Sequence, residues 1–204
     1  MFNEGFLGLL EHRRSCRHFA PKELDEETIN KLLLAANGAP VGSNRAEDIH
    51  ITVVNDHAVI DDLSLAMKRR REDTETMAFI TEKVRGGDSF QSRKFDPFYG
   101  APLVFFVSHR RQTVQPGIEF ANVMSVAMAM HLEATELGLG SVFIWGALEA
   151  MRMYPEYDRT SELLLPQGFE PLLGLSVGYP AEPTEPKRLR RDRFTVNVLE
   201  RNEE

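Results

Sequence analysis

The sequence predicts a layered fold of mixed helix and sheet, of the α/β or α+β class, in one domain with an extended C-terminal arm. Three observations carry this. Apolar runs at Ile49 to Val54, Leu103 to Ser108, Ser141 to Trp145 and Leu172 to Val177 read as strands, several of them rich in β-branched or aromatic residues. Helical periodicities separate these runs and tight hairpin signals are scarce, which is the pattern of sheet and helix layers. The tail from Pro180 is rich in proline and charge, yet ends in Phe194, Val196, Val198 and Leu199, which need a surface to pack on. At 204 residues the chain can bury a sizeable core.

Taken in order, Asn3 to His12 reads as a helix with Phe6, Leu9 and Leu10 on one face. Arg13-Arg14-Ser15-Cys16-Arg17 follows: three guanidiniums and a hydroxyl within five residues, in a protein of net charge −7. Arginine forks with a serine hydroxyl suit a phosphate. The pentad by itself, however, favours the simpler reading of a solvated basic helix end. A second helix opens at Asp25, an N-cap followed by the first-turn acids Glu26 and Glu27, and buries Ile29, Leu32, Leu33 and Ala36 up to Asn37-Gly38. The small-residue loop Ala39 to Asn44 leads into the first strand.

His57 to about Arg71 reads as one helix, and the segment from about residue 64 to 99 as a variable, charge-rich insertion or lid over a site. Phe98 and Tyr99, with Phe95, read as anchors for it. Gly117 to Leu137 is the longest helical pattern. It is apolar nearly all round, which predicts burial on several sides, within a core or against a second subunit, and Glu119 reads as a first-turn acid. The turn Gly138-Leu139-Gly140 ends it, and a short helix occupies about Ala147 to Tyr154.

The net negative charge argues against a general nucleic-acid or anionic-membrane binder. One cysteine excludes an intrachain disulfide and a cysteine-rich zinc site, and the six histidines show no metal-ligand spacing. Cys16 reads as a small packed residue. No basic residue precedes the first apolar run, and Phe120 to Leu132 is too short and too polar to cross a membrane, being interrupted by Asn122, Ser125 and His131. A soluble cytoplasmic protein is expected, with no metal site.

Four features, in order, resemble the nitroreductase family of flavoproteins. They are Arg-Arg-Ser-x-Arg-x-Phe (Arg13 to Phe19), Ala-Pro-x-x-x-Asn (Ala39 to Asn44), the small-residue helix running into Gly-Leu-Gly-Ser (Gly138 to Ser141), and Gly178-Tyr179-Pro180 with a basic segment behind it. The resemblance spans Arg13 to about Arg191, apart from the insertion. After Asn44 the chain reads Arg45-Ala46-Glu47-Asp48, where family members often have x-Gln-Pro-Trp.

The resemblance implies an α+β fold of three layers, α-β-α, with a mostly antiparallel central sheet. It implies FMN held at the interface of an intertwined homodimer, NADH or NADPH as electron donor, and a small electron-poor acceptor of nitroaromatic, quinone or enone type. Arg13, Arg14, Ser15 and Arg17 would hold the FMN phosphate, ribityl chain and pyrimidine edge. Pro40, Ser43 and Asn44 would approach the same flavin from the other subunit. Ile144, Trp145, Gly146 and Ala147 would lie along its ring, and Arg188 and Arg190, with Arg191 as the register alternative, would return to the phosphate. Because a flavin carries the redox chemistry itself, no side chain is assigned as a catalytic acid or base. A non-redox flavin or nucleotide binder of the same fold and a flavin-dependent reductive dehalogenase are the alternatives.

Overall fold

The computed structural model describes residues 5–72, 96–113, 115–190 and 192–199. Among them, four strands form one sheet: β1 (Ile49–Val54), β2 (Leu103–Arg110), β3 (Gly140–Ile144) and β4 (Phe169–Gly178). The order is β1-β2-β4-β3 and every pairing is antiparallel. β2 is buried from Leu103 through His109, as expected of a central strand covered on both faces. Its pleat divides the core in two, with Leu103, Phe105 and Val107 on one side and Val104 and Phe106 on the other.

The first side is covered by α2 (Glu26–Asn37) and α5 (Ile118–Glu136), the second by α3 (His57–Leu63), α4 (Leu65–Glu72) and α6 (Gly146–Met153). This is the α+β, three-layer arrangement. α1 (Gly5–His12) packs against α5. Local chemistry sets the boundaries. Asp25 accepts a hydrogen bond from the Thr28 N–H at 2.7 Å and caps α2, with Glu26 and Glu27 in its first turn. Gly117 opens α5 at φ 97°, and its N–H donates to the first-turn acid Glu119 at 2.9 Å.

Two expectations change. The helix read over His57 to about Arg71 is divided at Ser64. Its buried hydroxyl donates to the Asp61 carbonyl at 2.6 Å while its backbone stays near helical, so α3 and α4 are nearly continuous. α1 turns Gly8 toward the protein and leaves Phe6 and Leu7 exposed, because an eight-residue helix docks here through its smallest residue. α5 buries Val123, Val126, Ala127, Met130 and Ala134 in the core, while Phe120 and Met124 face outward in the single chain, on the side that the reading left to a core or a second subunit.

Phe98 is fully buried edge-on against Phe106, with centroids 6.0 Å apart, and so anchors the end of the 64–99 segment. Residues 73–95, including Phe95 and the body of the expected lid, lie outside the described residues. The C-terminal arm holds Phe194, Val196, Val198 and Leu199 at 73% exposure or more, so nothing among the described residues covers them.

Candidate functional site

The arginine pentad leaves α1 and runs along the outer edge of β3. The Cys16 N–H donates to the Ser141 carbonyl at 3.0 Å, and Ser15 bridges Ser141 in parallel. Gly140 permits this approach, since a Cβ there would stand 2.5 Å from Cys16 Sγ and 2.6 Å from its Cβ. Cys16 is buried, its thiol donates to the His18 carbonyl, and burial raises its pKa. It is packing, as its size suggests. Ser15 and Arg17, on either side of it, are exposed.

The C-terminal arm returns over this edge. Arg14 donates to the Glu185 carbonyl at 3.0 Å, the Lys187 N–H to the Glu11 carbonyl at 2.9 Å, and the Leu189 N–H to the Glu11 carboxylate at 3.1 Å. Arg188 lies between the last two contacts. Arg190 is engaged by Asp192 through two bonds of 2.8 and 3.0 Å, and Arg191 lies outside the described residues. Arg193 is the basic residue of the arm that pattern reading missed: burial lowers the pKa of Arg13, and the charges of Arg14 and Arg193 lower it further.

Arg13, Arg14 and Arg17 therefore gather positive charge without neutralising it. Among the described residues none of them has a carboxylate within ion-pair distance, whereas Arg45, Arg110 and Arg190 each do. Arg14 spends its bonds on carbonyls, and Arg17 lies over the Tyr99 ring at 5.9 Å. Half-buried like charges held together without counter-charge are unfavourable unless an anion completes them.

Arg13 has one side-chain hydrogen bond among the described residues, Nη1 to His131 Nε2 at 3.0 Å. A guanidinium can only donate, so Nε2 is the acceptor and the imidazole proton sits on Nδ1, facing Ser141 Oγ. His131 is 1% exposed, and its pKa is pushed down to about 4 by burial first and by Arg13 second. A base with a depressed folded pKa stabilises above its unfolded value, 6.5, and loses that contribution as pH falls toward 4. Urea denaturation should show about 3 kcal/mol of stability lost across that window, and His131→Gln should flatten the profile.

The Ala39–Asn44 loop is fixed elsewhere, on the N-terminal half of α5. Asn122 Oδ1 accepts the Gly42 N–H at 2.7 Å, its amide donates to His109 Nε2 at 3.1 Å, and Ser125 Oγ donates to the Pro40 carbonyl at 2.8 Å. A side chain at Gly42 would require Ile118 to move, as a Cβ would come within 2.4 Å of its Cδ1 and 2.9 Å of its Cγ1. Ser43 and Asn44 both take left-handed backbone, φ 58° and 52°, which costs of order 1 kcal/mol each and is typical of residues shaped for a ligand. Asn122→Leu should cost about 2–3 kcal/mol in a urea melt, because it strands both the Gly42 N–H and His109. The altered segment after Asn44 is neutralised: Asp48 is buried, paired with Arg45 at 2.6 Å and with Arg110 at 3.3 Å, which lowers its pKa.

The third group divides. Ile144 and Ala147 point into the core, whereas Trp145 is 41% exposed, tilted against Phe120 at 5.9 Å, and Gly146 is half-buried at the start of α6. Asn122 and His131 are nine residues apart on α5, so the loop and the pentad are anchored about 14 Å apart along its axis. One protomer thus gathers the pentad with its own arm but not with Pro40, Ser43 and Asn44.

Asn122, Ser125 and His131 are the supporting residues that pattern reading passed over. Their signal was present, since polar residues inside an apolar helix must find partners.

A family model described as the nitroreductase family matches residues 10–179. The chain belongs to the nitroreductase family. Membership makes it a flavin-dependent oxidoreductase in general class. The fold agrees with solved structures of low identity. A nitroreductase with bound FMN from Bacteroides fragilis is 22% identical, with TM-score 0.76, covering 97% of this chain and 100% of that one. A nitroreductase with bound FMN from Desulfitobacterium hafniense gives the same figures. A protein of Bacteroides thetaiotaomicron, named as an NADH dehydrogenase/NAD(P)H nitroreductase, is 20% identical, with TM-score 0.62, covering 94% of this chain and 96% of that one. No curated protein is similar at a significant level.

Proposed function

We propose that this nitroreductase-family chain binds FMN between two copies of itself and passes a hydride from NADH or NADPH to a small, electron-poor acceptor of nitroaromatic, quinone or enone type. The observation that carries the reading is the cationic edge formed by Arg13 and Arg14 with Arg193 of the arm, for which no carboxylate partner lies among the described residues. Its charge and fork geometry fit a dianionic phosphate.

FMN, when bound, supplies the two-electron chemistry. The chain's residues supply position and field. Arg13 and Arg14 hold the phosphate, with Arg188 or Arg193 closing from the arm, and Ser15 donates beside them. Arg17 places positive charge where reduction adds negative charge to the ring. The exposed Trp145 and the N–H groups at the start of α6, which no side chain of its N-cap residue caps, line the ring edge. Pro40, Ser43 and Asn44 contribute from the second copy, which accounts for their distance from the pentad within one chain. Phe6, Leu7, Phe120, Met124 and the apolar end of the arm are exposed in the single chain and would be covered in such a dimer.

The visible absorption spectrum of the purified protein, with the released cofactor weighed by mass spectrometry, tests the cofactor. Stopped-flow reduction by NADH and NADPH tests the donor. Bound FMN reduced by either nucleotide is the expected result. A protein that takes up no FMN would overturn the reading, and bound FMN that neither nucleotide reduces would leave a flavin binder without this turnover.

A further inference from the structure

We propose that His131 is a positioning residue for the anion-binding arginine: a neutral imidazole in the core that holds the Arg13 guanidinium at the cationic edge by accepting, and never competing for, its charge. The inference rests on the FMN reading above. Arg13 is repelled by Arg14 and Arg193, has no carboxylate partner among the described residues, and would otherwise swing toward solvent. A carboxylate in place of His131 would hold it too, but would neutralise the charge that a phosphate needs.

An imidazole fixed as the Nδ1–H tautomer gives direction without charge. Three contacts fix it. Nε2 takes the Arg13 N–H at 3.0 Å, Nδ1 faces Ser141 Oγ, and the ring lies tilted against Phe143 with centroids 5.0 Å apart. Ser141 is also the residue whose backbone carbonyl receives the Cys16 N–H. One residue of β3 therefore sets both the backbone of the pentad and, through His131, the aim of its first arginine. The Arg13 Nε and Nη2 make no hydrogen bond among the described residues and remain available to a ligand, and burial keeps His131 neutral under ordinary conditions.

The test compares FMN with riboflavin, which lacks the phosphate, on the dimeric protein. His131→Leu removes the acceptor at similar volume and should weaken FMN binding about tenfold while changing riboflavin binding less than twofold. His131→Gln restores an acceptor near the Nε2 position and should recover most of the FMN affinity. Ser141→Ala, which leaves the backbone contact to Cys16 in place, should give a smaller loss of the same phosphate-dependent kind. Equal losses for FMN and riboflavin, or no rescue by glutamine, would mean that His131 only fills the core and would overturn the proposal. Should His131→Leu fail to fold, Ser141→Ala decides, because it removes the hydroxyl that faces Nδ1: an FMN-to-riboflavin ratio unchanged from wild type would overturn the proposal. A wild-type protein that binds neither flavin would instead defeat the cofactor reading, an outcome distinct from any difference among variants.

Discussion

Replacing Arg13 and Arg14 together by alanine is expected to weaken FMN binding by about 100-fold or more. Each guanidinium offers charge-assisted hydrogen bonds to a phosphate, worth roughly 1.5–3 kcal/mol apiece, and each 1.4 kcal/mol is tenfold in affinity. The apoprotein has already met the unfavourable part of the interaction, because its folding gathers Arg13, Arg14 and Arg193 at one edge. An arriving phosphate relieves that repulsion, so the gain on binding exceeds what three scattered surface arginines would give. The wild-type affinity should therefore fall steeply with added salt, and the double variant should show a much shallower dependence. Arg152→Ala serves as a control, since that side chain is exposed and, among the described residues, bonds only the Pro171 carbonyl, away from the pentad. Fluorescence titration across a salt series checks all three expectations. An affinity and salt dependence unchanged in the double variant would mean that the phosphate sits elsewhere.

The pentad stood out because three arginines in five residues of an acidic chain are conspicuous wherever they fold, although taken alone it reads as the solvated end of a helix. The α2 boundaries were legible for a similar reason. Asp25, Glu26 and Glu27 act on N–H groups within one turn of themselves, so neighbours in sequence carry the whole argument. β2 was legible as a buried strand from its unbroken apolar run, but its place between β1 and β4 depends on pairings that no single run contains. His131 and Asn122 resisted reading for that same reason. One partner of His131 is 118 residues away and one partner of Asn122 is 80 residues away, so the sequence presents only a polar residue on an apolar face. Arg193 was hidden by the arm, where four other basic residues lie within seven positions and only the returning path of the backbone distinguishes among them. Trp145 shows the limit at one position. Its exposure follows from β3 ending at Ile144, one residue before the strand that its apolar pattern suggests.

Gly140→Ala is expected to cost about 3 kcal/mol of stability and to weaken FMN binding roughly tenfold, a large result for one methyl group. The added Cβ would stand 2.5 Å from Cys16 Sγ and 2.6 Å from Cys16 Cβ, closer than carbon and sulfur tolerate. Overpacking a well-filled site costs 1–3 kcal/mol when neighbours give way, and here both neighbours are held. Gly140 belongs to β3 and pairs with Gly178, while Cys16 is tied to Ser141 through its backbone and to His18 through its thiol. The cheapest relief is to lift the pentad from the sheet edge, which breaks the Cys16–Ser141 bond and moves Arg13, Arg14 and Arg17 together. Stability and cofactor affinity should therefore fall in one variant although the substituted residue carries no polar group. Cys16→Gly in the same chain removes both clashing atoms and should return much of the affinity. Thermal denaturation with flavin titration of the single and double variants checks this. A single variant with unaltered melting temperature and FMN affinity would mean that the pentad moves freely along β3, and the site would then owe its geometry to the arm rather than to the sheet.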